Sequence, residues 1–110
     1  MSLPWVQTIV AAAPAGAQTP YGCDWMQAPF NISWKVDGLG TTTGTYSVEY
    51  TLDDVNSVTT PTWTQVVPSL QTANGIGQIT FPIRFLRVNF TVGPVGGNCT
   101  FTALQGQTSR

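Results

Sequence analysis

Residues 45–67, TYSVEYTLDDVNSVTTPTWTQVV, decide how this chain folds. Tyr46, Val48, Tyr50 and Leu52 fall at every second position, with Ser47, Glu49, Thr51 and Asp53 between them. A period of two places the first set on one face of a pleated strand and the second on the other. Asp53-Asp54-Val55-Asn56-Ser57 interrupts the alternation with turn-forming residues, and Pro61 precedes a short new run from Trp63 to Val67. The stretch predicts a half-buried antiparallel strand, a sizeable loop and a partner strand.

The rest of the chain follows the same pattern. Phe30, Ile32, Trp34 and Val36 alternate cleanly, which predicts a second strand. Residues 37–45 read as the loop into the central strand, and 68–78 as a further loop containing Asn74-Gly75-Ile76-Gly77. Ile79 to Val92 is a long extended run whose phase slips between Ile83/Phe85 and Leu86/Val88/Phe90/Val92. A β-bulge at Phe85-Leu86 would reconcile the two registers. Pro82 belongs at a strand start or an edge, because it has no N–H to donate to a ladder. Residues 93–97 are a turn, Asn98 to Gln105 the last strand, and 106–110 a polar tail. At the other end, Trp5 to Val10 predicts a short strand, and the Ala/Pro/Gly-rich 11–20 resists both helix and sheet. Residues 1–27 are therefore expected as an extended N-terminal arm, laid over the domain or a neighbouring subunit. Residues 28–110 are expected as an all-β, antiparallel β-sandwich of jelly-roll or Ig-like type.

Composition limits the function classes. A chain of 110 residues is one domain. Charged residues are 8%, against about 25% in an average soluble protein, with a net charge of −1 and 42% hydrophobic residues. Such a chain folds rather than staying disordered. Its bases are Lys35, Arg84, Arg87 and Arg110, too few to track a phosphate backbone, so nucleic acid is not an expected partner. Weak self-repulsion favours packing among neighbours in an assembly. Residues 9–17, IVAAAPAGA, are apolar but short and broken by Pro14 and Gly16, so no membrane association is expected. With no basic residue before Lys35 there is no secretory n-region, and synthesis in the cytoplasm with reduced thiols is expected. Cys23 and Cys99 then read as two separate, partly buried thiols.

The chain contains no histidine, which removes the usual general base and the commonest metal ligand together. Its carboxylates are Asp24, Asp37, Glu49, Asp53 and Asp54. Asp53 and Asp54 sit at a strand end, where aspartate is common as a turn residue, and with Asn56 they match no calcium-loop signature. Gly75-Ile76-Gly77 and 93–97 lack the lysine and following helix of a phosphate cradle. Neither a catalytic residue nor a cofactor or metal is expected, and the chain reads as a non-enzyme. Trp5, Trp25 and Trp63 are candidate platforms for stacking on a glycan, the weaker alternative to partner contact, or lids over the core. The triplets at Asn31, Asn89 and Asn98 match the glycosylation pattern by coincidence in a chain rich in Asn, Ser and Thr.

Three pieces carry a resemblance: Tyr46 to Asp54 followed by Thr60-Pro61-Thr62-Trp63; Phe81-Pro82-Ile83-Arg84-Phe85-Leu86-Arg87-Val88-Asn89; and the closing Ala103-Leu104-Gln105-Gly106. Over residues 30–106 this order resembles the small structural proteins of tailed bacteriophages that decorate or cement the head. The resemblance implies a virion location, the major capsid protein as partner, and self-association as a dimer or trimer on the capsid. A tail- or fibre-associated module is the alternative within the same class. The contact residues it implies are Trp5 and Ile9 in the arm, and Asp53, Asp54 and Trp63 in and beside the 53–62 loop.

Overall fold

A computed structural model describes residues 5–10, 16–26, 30–38, 43–66 and 70–105. Its strands are β1 (Trp5–Ile9), β2 (Gly16–Ala17), β3 (Tyr21–Gly22), β4 (Ile32–Asp37), β5 (Thr43–Thr51), β6 (Thr64–Gln65), β7 (Gly75–Ile79), β8 (Phe85–Val95) and β9 (Cys99–Gln105). They form two antiparallel sheets. The first has the order β1-β9-β4-β7 and the second β2-β8-β5-β6, with β3 also paired to β8. No helix occurs among the described residues.

The alternations seen in the sequence become the walls of one core between these sheets. Ile32, Trp34 and Val36 of β4 and Phe101 and Ala103 of β9 face Tyr46 and Val48 of β5 and Leu86, Val88 and Phe90 of β8, all buried in a single cluster. Fully burying one such aliphatic or aromatic side chain contributes about 1.5–3 kcal/mol. The N-terminal stretch joins the same sheets over its described residues: β1 lines β9, while β2 and β3 line β8 on either side of Pro20.

Several expectations are corrected. β5 ends at Thr51, so Leu52 falls outside the alternation and is 62% exposed. Of the partner strand expected over Trp63–Val67, the described residues form only the two of β6, and Val67 lies outside them. The loop expected at 68–78 contains β7. The run from Ile79 to Val92 is two strands joined by residues 80–84, so the phase slip at Phe85-Leu86 marks the start of β8 and not a bulge. The register irregularities against β5 come later, between Tyr46↔Phe90 and Thr45↔Val92 and again before Thr43↔Val95. The first inserted residue reverses the alternation and turns Val92 outward, and the second restores it, which is why Pro94 is buried again on the face of Phe90.

β7 went unread because two of its three inward positions, Gly75 and Gly77, carry no side chain, leaving Ile79 alone to mark the buried face. Trp34, paired with Gly77 across β4 and β7, lays its indole over that strand. A Cβ at Gly77 would stand 2.5 Å from the indole Cζ2, and one at Gly75 would stand 2.5 Å from the Tyr46 hydroxyl. Glycine here is a requirement of packing: the aromatic ring fills the layer that β7's own side chains would otherwise occupy. Tyr46 completes the arrangement by donating its hydroxyl to the Ala73 carbonyl at 2.8 Å and exchanging backbone bonds with Gln71 at 2.9 and 2.8 Å.

Gly77→Ala is expected to destabilise the fold by about 1–3 kcal/mol, the usual effect of overpacking a tight core. Ile76→Ala, one residue away on the solvent face, is expected to change stability by less than about 0.5 kcal/mol. Urea denaturation followed by tryptophan fluorescence measures both, and equal effects would remove the packing explanation.

Candidate functional site

Glu49 lies on the outward face of β5 yet is almost buried, because neighbouring strands and the following loop close over it. The register sets Glu49 opposite Arg87 of β8 on one side and Gln65 of β6 on the other. Arg87 grips the carboxylate through Nη2 at 2.7 Å and Nε at 2.8 Å, both on Oε1. Oε2 accepts from Asn89 Nδ2 at 3.3 Å and from the Ser47 hydroxyl at 3.4 Å. The Arg87 guanidinium in turn stacks on Trp63, 3.9 Å from the ring centroid. Each member is satisfied by another, so the cluster holds the loop end against the sheet. Trp63, expected as a contact or glycan platform, has one ring face occupied by Arg87.

The 53–62 loop is folded by its own aspartates. Asp53 Oδ2 accepts from the Thr62 amide at 2.7 Å and closes the loop at its base. Asp54 Oδ1 accepts from the Asn56 amide at 3.0 Å, and its Oδ2 from the Ser57 hydroxyl at 3.1 Å. The bonds from Asn56 and Ser57 hold the Asp54 carboxyl below its ordinary range. Its contribution to the turn is therefore present above the ordinary carboxylate pKa and is lost as pH falls through the lowered folded value.

In the N-terminal stretch, Trp5 packs on Tyr21 at 5.4 Å and edge-on to Phe101 at 6.1 Å. Ile9 is 2% exposed and belongs to the core of its own domain. The structure thus spreads the five contact residues expected from sequence over three places: Trp5 and Ile9 on the first sheet, Asp53 and Asp54 in the loop turn, and Trp63 on the outer face of the second sheet.

A different set of side chains gathers at one end of the body. The connections β3–β4, β5–β6 and β7–β8 bring Trp25, Leu52, Pro82, Ile83 and Arg84 around a depression of about 270 Å³. Trp25 is 44% exposed, Met26 lies next to it in the chain and is more exposed still, and Phe81 stands half exposed against Tyr50 at 5.3 Å. The Trp25 connection is fixed by a reciprocal pair: the Asp24 amide donates to Gln105 Oε1 at 2.8 Å, and Gln105 Nε2 donates to the Asp24 carbonyl at 2.7 Å. Arg84 is pinned at its backbone, donating to the Thr51 carbonyl at 3.0 Å and accepting from the Cys23 amide at 2.9 Å. Sequence reading missed this end because Phe81 to Arg84 was taken as strand. Pro82 and the phase slip beside it were the signals that the strand had been broken.

A second exposed surface is the outer face of the first sheet. There Ile76, 80% exposed, stands with Leu104 and Lys35 among threonines and serines, and Lys35 pairs with Asp37 at 3.1 Å. Among the described residues no cluster of three or more metal-ligating side chains occurs, and no helix is long and apolar enough to cross a membrane. Comparison of the chain with protein families, with curated proteins and with solved structures finds no significant match.

Both cysteines are free thiols, as the sequence led us to expect. Burial pushes the Cys23 thiol up to about 12 and raises that of the fully buried Cys99 as well. At pH 8 both are expected to resist Ellman's reagent in the folded protein and to react together after denaturation. Fast labelling of either in native protein would contradict this burial. Glu49→Gln is expected to cost about 2 kcal/mol of stability, since it leaves Arg87 closed in without its counter-charge. Denaturation at low and at 1 M salt should give nearly the same loss, which a solvent-exposed pair would not.

Proposed function

We propose that this chain is a structural virion protein that decorates or cements the head of a tailed phage, bridging major capsid subunits and associating with itself as a dimer or trimer. The observation that carries the reading is the strand order. β1-β9-β4-β7 facing β2/β3-β8-β5-β6, with most connections passing from one sheet to the other, supports a jelly-roll sandwich rather than an Ig-like one. That double Greek key is an architecture of viral capsid and lectin domains. The step from fold to role is one of analogy, and it agrees with the resemblance of residues 30–106. We read residues 1–27 as an extended arm whose described strands seal sheet edges of their own domain.

Surface chemistry supports the same role. With a net charge of −1, most charges are spent internally: Glu49 on Arg87, Asp37 on Lys35, Asp53 and Asp54 on the loop. What remains outside is polar, threonine-rich and punctuated by apolar side chains, above all at the Trp25/Leu52/Phe81 end. Such a surface packs on another protein with little desolvation of charge, and many modest contacts repeated over a shell add through effective concentration. The expected setting is the phage head after synthesis in the host cytoplasm, with no cofactor.

Purified chain added to capsids lacking it should bind at a fixed ratio to the major capsid protein and raise the temperature of genome release. Leu52→Asp or Phe81→Asp should weaken binding about tenfold or more, the effect of a charge at the centre of an apolar contact. Density for the chain confined to the tail would sink the head assignment. A second reading, glycan binding, is favoured by the exposed ring of Trp25 on a lectin-type architecture. A glycan panel read by tryptophan fluorescence, with Trp25→Ala as control, separates the two.

A further inference from the structure

We propose that Arg84 is the centre of a carboxylate-binding site, in which an acidic side chain of a protein partner, flanked by apolar residues in its own chain, docks between Trp25 and the wall formed by Leu52 and Pro82. The two arginines of this end of β8 make the contrast. Arg87 has its Nε and Nη2 on one carboxylate at 2.8 and 2.7 Å. The Arg84 Nε is buried with no acceptor, and its nearest anion, Asp54 Oδ2, lies 3.7 Å from Nη2, beyond hydrogen-bond reach. Asp54 faces it at ion-pair range only, its two oxygens being turned to the Asn56 amide and the Ser57 hydroxyl. A guanidinium carries five donors in a planar fork matched to a carboxylate, and the terminal donors of Arg84, at the exposed end of its side chain, are the ones open to a second acceptor.

The surroundings state the ligand's chemistry. The guanidinium lies against the Trp25 ring, 5.0 Å from its centroid, so its plane is preset and its side chain still about one-third exposed. The depression of about 270 Å³ beside it is walled by Trp25, Leu52, Pro82 and Ile83, apolar groups contributed by three separate connections. A carboxylate meets the terminal nitrogens, since Nε is closed off, while apolar neighbours on more than one side of it cover Leu52 and Trp25. An acidic residue within a chain supplies both flanks; a chain terminus supplies one. Backbone bonds to Thr51 and Cys23 hold Arg84 in place, so little ordering is required on binding. This site does not depend on the virion reading, and either can fail alone.

The test uses ¹⁵N-labelled full chain and follows the Trp25 indole N–H, assigned by Trp25→Phe. The probes are N-acetyl-Leu-Glu-Leu-amide and its Leu-Gln-Leu counterpart. The glutamate peptide is expected to shift the Trp25 signal with an affinity about tenfold or more above the glutamine peptide, the discrimination of a charge-assisted pair. Arg84→Met should abolish that preference while leaving the indole signals of Trp5, Trp34 and Trp63 in place. Raising salt to 0.5 M should weaken the glutamate peptide and leave the glutamine peptide unchanged, a measurement that needs no variant. Equal affinity for the two peptides, no shift at all, or salt-independent preference would overturn the proposal.

Discussion

The indole of Trp34 lying across Gly75 and Gly77 is the constraint from which the rest of the molecule follows. It lets an edge strand with glycine at two of its three inward positions close the first sheet. Because β7 is held there, the chain must cross from the first sheet to the second through residues 80–84 to begin β8. That crossing places Phe81, Pro82 and Arg84 at the end of the body beside Trp25 and Leu52. Tyr46 secures the approach from the other side, through its bonds to Gln71 and Ala73. One ring and one hydroxyl thus set both the sheet edge and the surface the protein offers. The arrangement has an unsatisfied group of its own: the Trp34 Nε1 is buried without an acceptor.

Where a strand has one wet face, its residues announce themselves. Phe30, Ile32, Trp34 and Val36, and Tyr46 and Val48, alternated in the sequence and are buried as a set in the structure. Leu52 and Val92 show how alternation misleads. Leu52 continues the period past the last paired residue, and Val92 keeps it beyond an inserted residue that has already turned the face over. Periodicity reports side-chain chemistry, whereas strand ends and bulges are set by backbone pairing partners far away in the chain. Almost every pairing here is of that distant kind, β1 with β9, β4 with β9 and β5 with β8.

The functional surface was less legible still, and for a physical reason. Glu49 sits on the face that the period of two assigns to solvent, but Arg87, Asn89 and Trp63 arrive from elsewhere to enclose it. Trp25 reads from sequence as an aromatic platform, but nothing in its neighbourhood in sequence points to Arg84, far along the chain. The aspartates that looked most like contact residues, Asp53 and Asp54, are consumed in folding their own loop. In a chain with so few charges, a charged residue is as readily a structural fastening as a contact.

That economy of charge gives the apolar end its meaning. A protein that must lie on another protein's surface gains by keeping ions paired and inward, since each unpaired charge buried at a contact carries a desolvation cost of several kcal/mol. Glu49 with Arg87 follows that rule, while Lys35 with Asp37 is paired at the surface. Arg84 departs from it: its side chain is fixed by stacking and by its backbone, placed among exposed apolar groups, and only loosely paired with Asp54 at 3.7 Å. Its Nε is closed in without an acceptor, and the Trp34 Nε1 and the Gln7 Oε1 are likewise without partners, so what sets Arg84 apart is the open end of its guanidinium among apolar groups.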